Sequence, residues 1–272
     1  MSWWLVEVAP AGHDPEDLAR AVAELTGQTA LESADRVVGY AADEPSARSL
    51  LRVLADRFPG LDGRVFQEAA VDWTTAWREG LGIREVGGLQ LGPSWLLAPG
   101  PATVVIDPEM AFGSGEHGST RGALTLLHRY LRAGGTVLDL GSGSGILTIA
   151  AVKLGARSAL GVEVDDEAVP IADANAALNL VADRVRFVVA DAGVIAPLAG
   201  PADLVVSNIL RTANETLLPA ITAALAADGV AIFAGMEANE ADLFRPALLG
   251  AGLVPIDELV DEGWWSVAAR RA

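Results

Sequence analysis

Between Thr136 and Ala151 the chain reads Thr-Val-Leu-Asp-Leu-Gly-Ser-Gly-Ser-Gly-Ile-Leu-Thr-Ile-Ala-Ala. A short apolar strand runs into Asp139 and Leu140. Three glycines follow at alternate positions, Gly141, Gly143 and Gly145, and then an apolar, alanine-rich helix begins. Glycine lets a backbone turn sharply and a ligand come close, because no Cβ stands in the way. The helix start behind it offers free N–H groups and the positive end of a dipole. Such a stretch belongs at the carboxyl end of a strand in an open α/β sheet, where nucleotide-type cofactors bind. A valine at Gly143 would then fill space that a ligand needs.

The next strand helps to choose the cofactor. Ala159-Leu-Gly-Val-Glu163 ends in an acid that can accept both hydroxyls of a ribose. Dinucleotide folds and methyltransferases share this feature. Two details favour S-adenosylmethionine. The glycine spacing is G-x-G-x-G, not the G-x-G-x-x-G that seats a pyrophosphate, which disfavours a nicotinamide dehydrogenase. Asp139, just before the glycines, would repel a diphosphate but suits the ammonium of a methionine moiety. The alternative is an ordinary strand-to-helix turn without a ligand, and Asp139 and Glu163 together with the glycines argue against it.

The 272 residues suit one large domain, or a main domain with a small one, and 51% hydrophobic content allows a sizeable core. No apolar run reaches the ~18 residues of a membrane span. The start, Met1-Ser-Trp-Trp-Leu-Val-Glu-Val, lacks the basic region of a signal peptide. There are no cysteines, and the three histidines, His13, His117 and His128, are scattered, so neither disulfides nor a metal site is expected. A net charge of −17 repels phosphates, which argues against a direct nucleic-acid substrate. A monomer in the cytoplasm, with no membrane contact, is the expectation.

Strand and helix alternate through the first 70 residues. Strands are expected from Trp3 to Val8, Arg36 to Ala42 and Arg64 to Val71, and helices open at Asp14-Pro-Glu-Asp and Glu44-Pro-Ser. This fits a small ferredoxin-like α+β unit without chemistry of its own, suited to hold a partner or to cover the main domain. Residues 71–88 read as a linker helix with Trp73 and Trp77 on one face, better suited to packing than to a ligand. From residue 89 to 272, strands near 90–97, 103–107, 136–140, 159–163, 185–190, 202–207, 229–234, 254–260 and 264–269 alternate with helices. Five βα units and a terminal hairpin predict a doubly wound, Rossmann-like sheet of seven strands whose last strand is antiparallel.

Three further segments carry polar groups. Ile106-Asp-Pro-Glu-Met-Ala-Phe-Gly-Ser-Gly-Glu-His-Gly-Ser-Thr-Arg precedes the first cofactor strand, and its glycines make a supple loop. It reads as an active-site lid with Phe112 and Thr120 facing the cofactor; His117 is a base, a substrate contact or a helix-start hydrogen bonder. Asp191 ends the third cofactor strand, placed either to accept from an adenine amino group or to cap a helix. Asn208 ends the fourth. An amide there reaches the ligand crevice, where it can donate to a carboxylate and accept from an amine, though a turn residue is the alternative.

These pieces resemble the ribosomal protein L-11 methyltransferase family (PrmA). The resemblance rests on Trp73-x3-Trp77, on Asp107-Pro-x-Met-Ala-Phe-Gly-Ser-Gly-x-His-x-Ser-Thr120, on Leu138-Asp-Leu-Gly-Ser-Gly-Ser-Gly-Ile-Leu with the helix after it, on Asn175-x3-Asn179 and on Ser207-Asn-Ile-Leu210. It runs in order from about residue 70 to 235. It implies a small N-terminal substrate-recognition domain, a linker and a seven-stranded methyltransferase domain. The implied reaction transfers methyl groups from S-adenosylmethionine to lysine side chains and the N-terminal amine of ribosomal protein L-11. The implied cofactor contacts are Thr120, Gly141, Glu163 and Asn208. From the residues themselves, Asn208 is placed to orient the amine, and no strong general base is evident, His117 being the only and a weak candidate. The chain departs from the family pattern at Glu163 (usually Asp), Ser114 (Thr), Gly118-Ser119 (Pro-Thr), Arg211 (a small residue) and Ala234-Gly-Met-Glu237, near the substrate side. The rival readings are another protein or a small amine as acceptor, or a cofactor-binding interaction protein without turnover.

Overall fold

The computed structural model describes residues 3–26, 30–33, 36–68, 81–108 and 111–272. The chain divides into two units, Met1–Ala76 and Trp77–Ala272.

In the smaller unit, valines at alternate positions of the first strand fix one buried face. The elements are β1 (Trp3–Ala9), α1 (Pro15–Thr26), β2 (Leu31–Ser33), β3 (Arg36–Ala41), α2 (Glu44–Arg57) and β4 (Asp62–Glu68). The strands form one antiparallel sheet in the order β2-β3-β1-β4, the ferredoxin-like arrangement. Val6, Val8 and Val37 cluster with Leu18 and Val22 of α1 and Leu50 and Leu54 of α2. Asp43 starts α2 by accepting from Ser46 N at 2.8 Å, and Pro45 fits the first turn, where no N–H partner is required.

The larger unit opens with a three-stranded sheet, β5 (Arg84–Val86), β6 (Leu89–Gly92) and β7 (Thr103–Val105). The expected Trp73/Trp77 helix lies outside the described residues. The described part of the 71–88 stretch, residues 81–88, holds no helix: Arg84–Val86 pairs antiparallel with β6 instead. The strand expected over 90–97 stops at Gly92, because Pro93 opens a turn and its carbonyl accepts from Leu96 N and Leu97 N.

Next come α3 (Gly118–Tyr130), β8 (Thr136–Leu140), α4 (Ile146–Lys153), β9 (Ser158–Glu163), α5 (Ala168–Leu178), β10 (Val185–Val189), α6 (Ala192–Ala199), β11 (Ala202–Asn208), α7 (Arg211–Ala224), β12 (Leu225–Glu237), α8 (Ala241–Gly250), β13 (Leu253–Asp261) and β14 (Trp264–Arg271). They build the expected seven-stranded sheet, ordered β10-β9-β8-β11-β12-β14-β13, parallel except for β14, which runs antiparallel to both its neighbours. The inner strands are apolar on both faces, as a parallel sheet sandwiched by helices requires. Val137, Leu204 and Val206 pack under α3 and α4 with Leu124, Leu127 and Ile149. Leu138, Leu140, Val205 and Phe233 face the other way, onto Leu218, Ile221, Phe244 and Leu248 of α7 and α8. The strand order reverses between β8 and β11, so a crevice opens beyond their carboxyl ends. Among the described residues no helix is long and apolar enough to cross a membrane.

Candidate functional site

That crevice holds a cavity of about 750 Å³, lined by the loop before α3, the glycine loop, the ends of β9 and β10, the turn after β11 with the start of α7, Gly235 of β12 and the β13–β14 hairpin. Its floor is the turn from β8 into α4. Gly141, Gly143 and Gly145 all have positive φ (79°, 49° and 84°), a conformation that L side chains rarely adopt. The three do different work. A Cβ on Gly141 would lie 2.5 Å from Ile209 Cγ2, and one on Gly143 would lie 2.5 Å from the carbonyl oxygen of Phe112. Gly143 lines the cavity, and its missing Cβ also makes room for the neighbouring loop. Gly145 stands away from the cavity wall and lets α4 pack on the Phe187 ring and Ala172.

Glu163 reaches back under this turn. Its Oε2 accepts from Gly143 N at 2.9 Å and its Oε1 from Val164 N at 2.8 Å, while its side chain lines the cavity. Oε1 also accepts from Asp165 N at 3.2 Å, while Oε2 keeps acceptor capacity for a ribose hydroxyl. Asp191 also lines the cavity and caps α6 through Gly193 N at 2.7 Å, so both of its sequence-level roles are geometrically open. Asp139 is elsewhere. It is fully buried beneath the loop, outside the cavity wall, because its side chain points at α4, where Oδ2 accepts from Thr148 Oγ1 at 2.6 Å. Burial pushes its pKa up to about 7, against the hydrogen bond from Thr148.

Asn208 closes the floor from the other side of the switch point. Its Nδ2 donates to Thr120 Oγ1 at 3.3 Å, and its buried Oδ1 has no partner. Thr120, expected to face the cofactor, is wholly buried behind Asn208 and holds it in place. Ile209 follows, wedged between Gly141 and Gly235. A Cβ on Gly235 would strike the backbone of Ile209, so close approach requires glycine there.

The mouth is aromatic. Phe112, exposed over the cavity, packs edge-on to His117 with ring centroids 5.6 Å apart, and His117 lies 4.1 Å from the Trp264 ring. The His117 ring does not cap α3; its Nδ1 pairs with Ser119 Oγ at 2.7 Å. Burial, with the Arg121 charge nearby, lowers its pKa, so the neutral ring is favoured. Trp264 reaches His117 because the β13–β14 hairpin presses onto α3. A Cβ on Gly118 would collide with the carbonyl of Asp261, and one on Gly122 with Ser266. Arg121, one turn along, locks the contact: Nε to Asp261 at 2.7 Å, Nη2 to Glu262 at 2.7 Å and Nη1 to the carbonyl of Glu116.

A family model described as ribosomal protein L11 methyltransferase (PrmA) matches residues 2–272. The chain belongs to this family. The protein of that name from Thermus thermophilus is 41% identical over 206 residues, covering 74% of this chain and 78% of its own. That from Pelotomaculum thermopropionicum is 38% identical over 246 residues, covering 87% and 79%. The crystal structure of ribosomal protein L11 methylase from Lactobacillus delbrueckii subsp. bulgaricus superimposes with a TM-score of 0.61 at 31% identity, over 68% of this chain and 95% of that one. The chain is thus an S-adenosylmethionine-dependent protein methyltransferase with the expected fold.

The cavity fits that cofactor. Its size suits a nucleoside with an amino-acid tail, and Glu163 and Asp191 present carboxylates at the ends of β9 and β10. One family departure has a structural counterpart. Gly118, where the family has proline, lets the hairpin settle on α3 and brings Trp264 to the mouth. Sequence reasoning missed Trp264, Ile209 and the apolar rim of Leu210, Ala213 and Leu217. The available signal was the Trp264-Trp265 pair at the start of a strand: adjacent strand residues face opposite ways, so one of the two had to leave the core.

Proposed function

We propose that this chain methylates amines of ribosomal protein L11, at lysine side chains and the N-terminus, the substrate named for its relatives. The observation that carries this reading is Asn208. It lines the cavity at the switch point, its Nδ2 is held by Thr120, and its Oδ1 is left to accept from an N–H group.

Bound S-adenosylmethionine supplies an electrophilic methyl group on a sulfonium centre. The chain must bring a neutral amine to it in line. A lysine in water titrates near ~10.4, so its proton must leave first. The apolar rim of Ile209, Leu210 and Trp264 desolvates an incoming ammonium and lowers its pKa. Asn208 Oδ1 then accepts one N–H and aims the lone pair. Neutral His117, at the same mouth, is placed to take up the released proton. With no carboxylate base at the mouth among the described residues, most of the rate comes from positioning.

The Met1–Ala76 unit serves as the substrate-recognition domain in this reading, and its ferredoxin-like sheet supports that role. The enzyme works as a cytoplasmic monomer on the protein itself, without a nucleic-acid substrate; the charge of −17 supports the last point. The test is incubation with methyl-labelled S-adenosylmethionine and unmethylated large-subunit proteins, followed by mass spectrometry. Label on L11 amines is the expected result. Cofactor binding without label on L11 would move the acceptor to another protein or a small amine.

A further inference from the structure

The Asn175-x3-Asn179 motif has no place in the chemistry above, yet both residues are almost wholly buried, Asn175 on α5 and Asn179 as the residue that ends it. They behave as a substitute β-strand. Asn179 Oδ1 accepts from Val105 N at 2.9 Å and its Nδ2 donates to Val105 O at 2.6 Å. Asn175 repeats the pattern two residues on, accepting from Asp107 N at 3.0 Å and donating to Asp107 O at 3.3 Å. The geometry matches: four helical residues rise about 6 Å and two strand residues about 6.6 Å.

Asn175 does one thing more. Its Nδ2 also donates to Ser144 O, inside the glycine loop, at 3.0 Å. Ser144 in turn holds the loop that carries the aromatic mouth. Its N–H donates to Phe112 O at 2.9 Å and its hydroxyl to Gly113 O at 2.6 Å. Ser144 and Asn175 thus link the cofactor loop to both the root (Asp107) and the crest (Phe112, Gly113) of the acceptor loop. Neither residue lines the cavity.

We infer that Ser144 and Asn175 are positioning residues that lock the Phe112–His117 loop to the cofactor loop, so that the acceptor mouth is registered against the bound methyl donor. The inference rests on the methyltransferase reading, but its decisive test does not depend on turnover. The chain has three histidines, and only His117 is stacked against Trp264 and Phe112. Its ring protons therefore report loop position through ring-current shifts, with His13 and His128 as internal controls.

The experiment is NMR of the histidine ring protons in the full chain and in Ser144→Ala and Asn175→Asp, alongside cofactor affinity by calorimetry and steady-state kinetics. Ser144→Ala removes one hydroxyl. Asn175→Asp keeps the oxygen that accepts from Asp107 N but loses both donations. The expected result is a shifted or broadened His117 with His13 and His128 unmoved, cofactor Kd within about threefold, and kcat lowered about tenfold in Ser144→Ala and further in Asn175→Asp. Ser144→Thr, which keeps the hydroxyl, should restore the His117 position. An unmoved His117 overturns the inference whatever the kinetics do. Movement of His128 together with His117 in both variants also overturns it, because the pair would then support the whole larger unit rather than the loop; His13, in the smaller unit, is the outside reference. A His117 that moves without label on L11 in the wild type would leave the positioning role standing and sink the acceptor assignment alone.

Discussion

The two walls of the cavity are built in different ways. The wall that fits the cofactor is local: the glycine turn, Glu163 and Asp191 sit at the ends of three neighbouring parallel strands, and both carboxylates accept from backbone N–H groups close by. The wall proposed to receive the acceptor is assembled from segments far apart in sequence: Phe112 and His117 before α3, the turn after β11, and Trp264 on the terminal hairpin. A binding wall that many folds share can be written as a short motif. A wall that defines one acceptor depends on long-range packing, here the contact of Gly118 and Gly122 with the hairpin.

Substitutions can test that division. The largest effect is expected where the walls touch. In Gly143→Val the side chain drives into Phe112 O, a backbone atom that cannot rotate away. Cofactor binding and turnover should both become undetectable by calorimetry and methyl transfer; retention of either would mean that the walls can part freely. Asn208→Ala comes next. Turnover should fall about a hundredfold or more, while the melting temperature moves by no more than about 2 °C, because the side chain makes a single 3.3 Å hydrogen bond. Normal turnover would remove Asn208 from the reaction.

Trp264→Ala should act on one wall alone. We expect the acceptor KM to rise about tenfold with cofactor Kd within about twofold; an equal loss of both affinities would show that the walls are not separable. The smallest effect concerns Asp139, whose pKa is raised from 3.8 to about 7 in the fold. The folded chain then holds this proton more tightly than the unfolded chain does. Its contribution is fully present below pH 3.8 and is lost as the pH rises to about 7. Asp139→Asn removes that loss. In the cofactor-free protein the mutant should gain several degrees in melting temperature relative to wild type between about pH 4 and 7, and no more above it; a difference that does not vary with pH would mean that Asp139 is ionised throughout.

The sequence disclosed the cofactor wall and the sheet around it because both obey local rules. Apolar runs of strand length, glycines at the turn and acids at strand ends fix β8, β9 and their loops without reference to the rest of the chain. Asn208 was legible for the same reason, being the last residue of a buried strand. Thr120 and Asp139 were misplaced. A motif gives the neighbourhood of a side chain but not its direction, and both point inward, one behind Asn208 and the other at Thr148. Trp264 was invisible as a site residue because its part in the mouth depends on α3 and the hairpin meeting from opposite ends of the domain.

The asparagine pair on α5 has a consequence outside catalysis. β7 is the last strand of its small sheet, and a bare strand edge is a template on which another chain can pair and aggregate. Along its free side, the N–H and C=O of Val105 and of Asp107 just beyond it are already taken by side-chain amides. A helix has closed the edge to any further strand, so the segment that leads into the acceptor mouth can stay short, irregular and rich in glycine without becoming a seed for self-association.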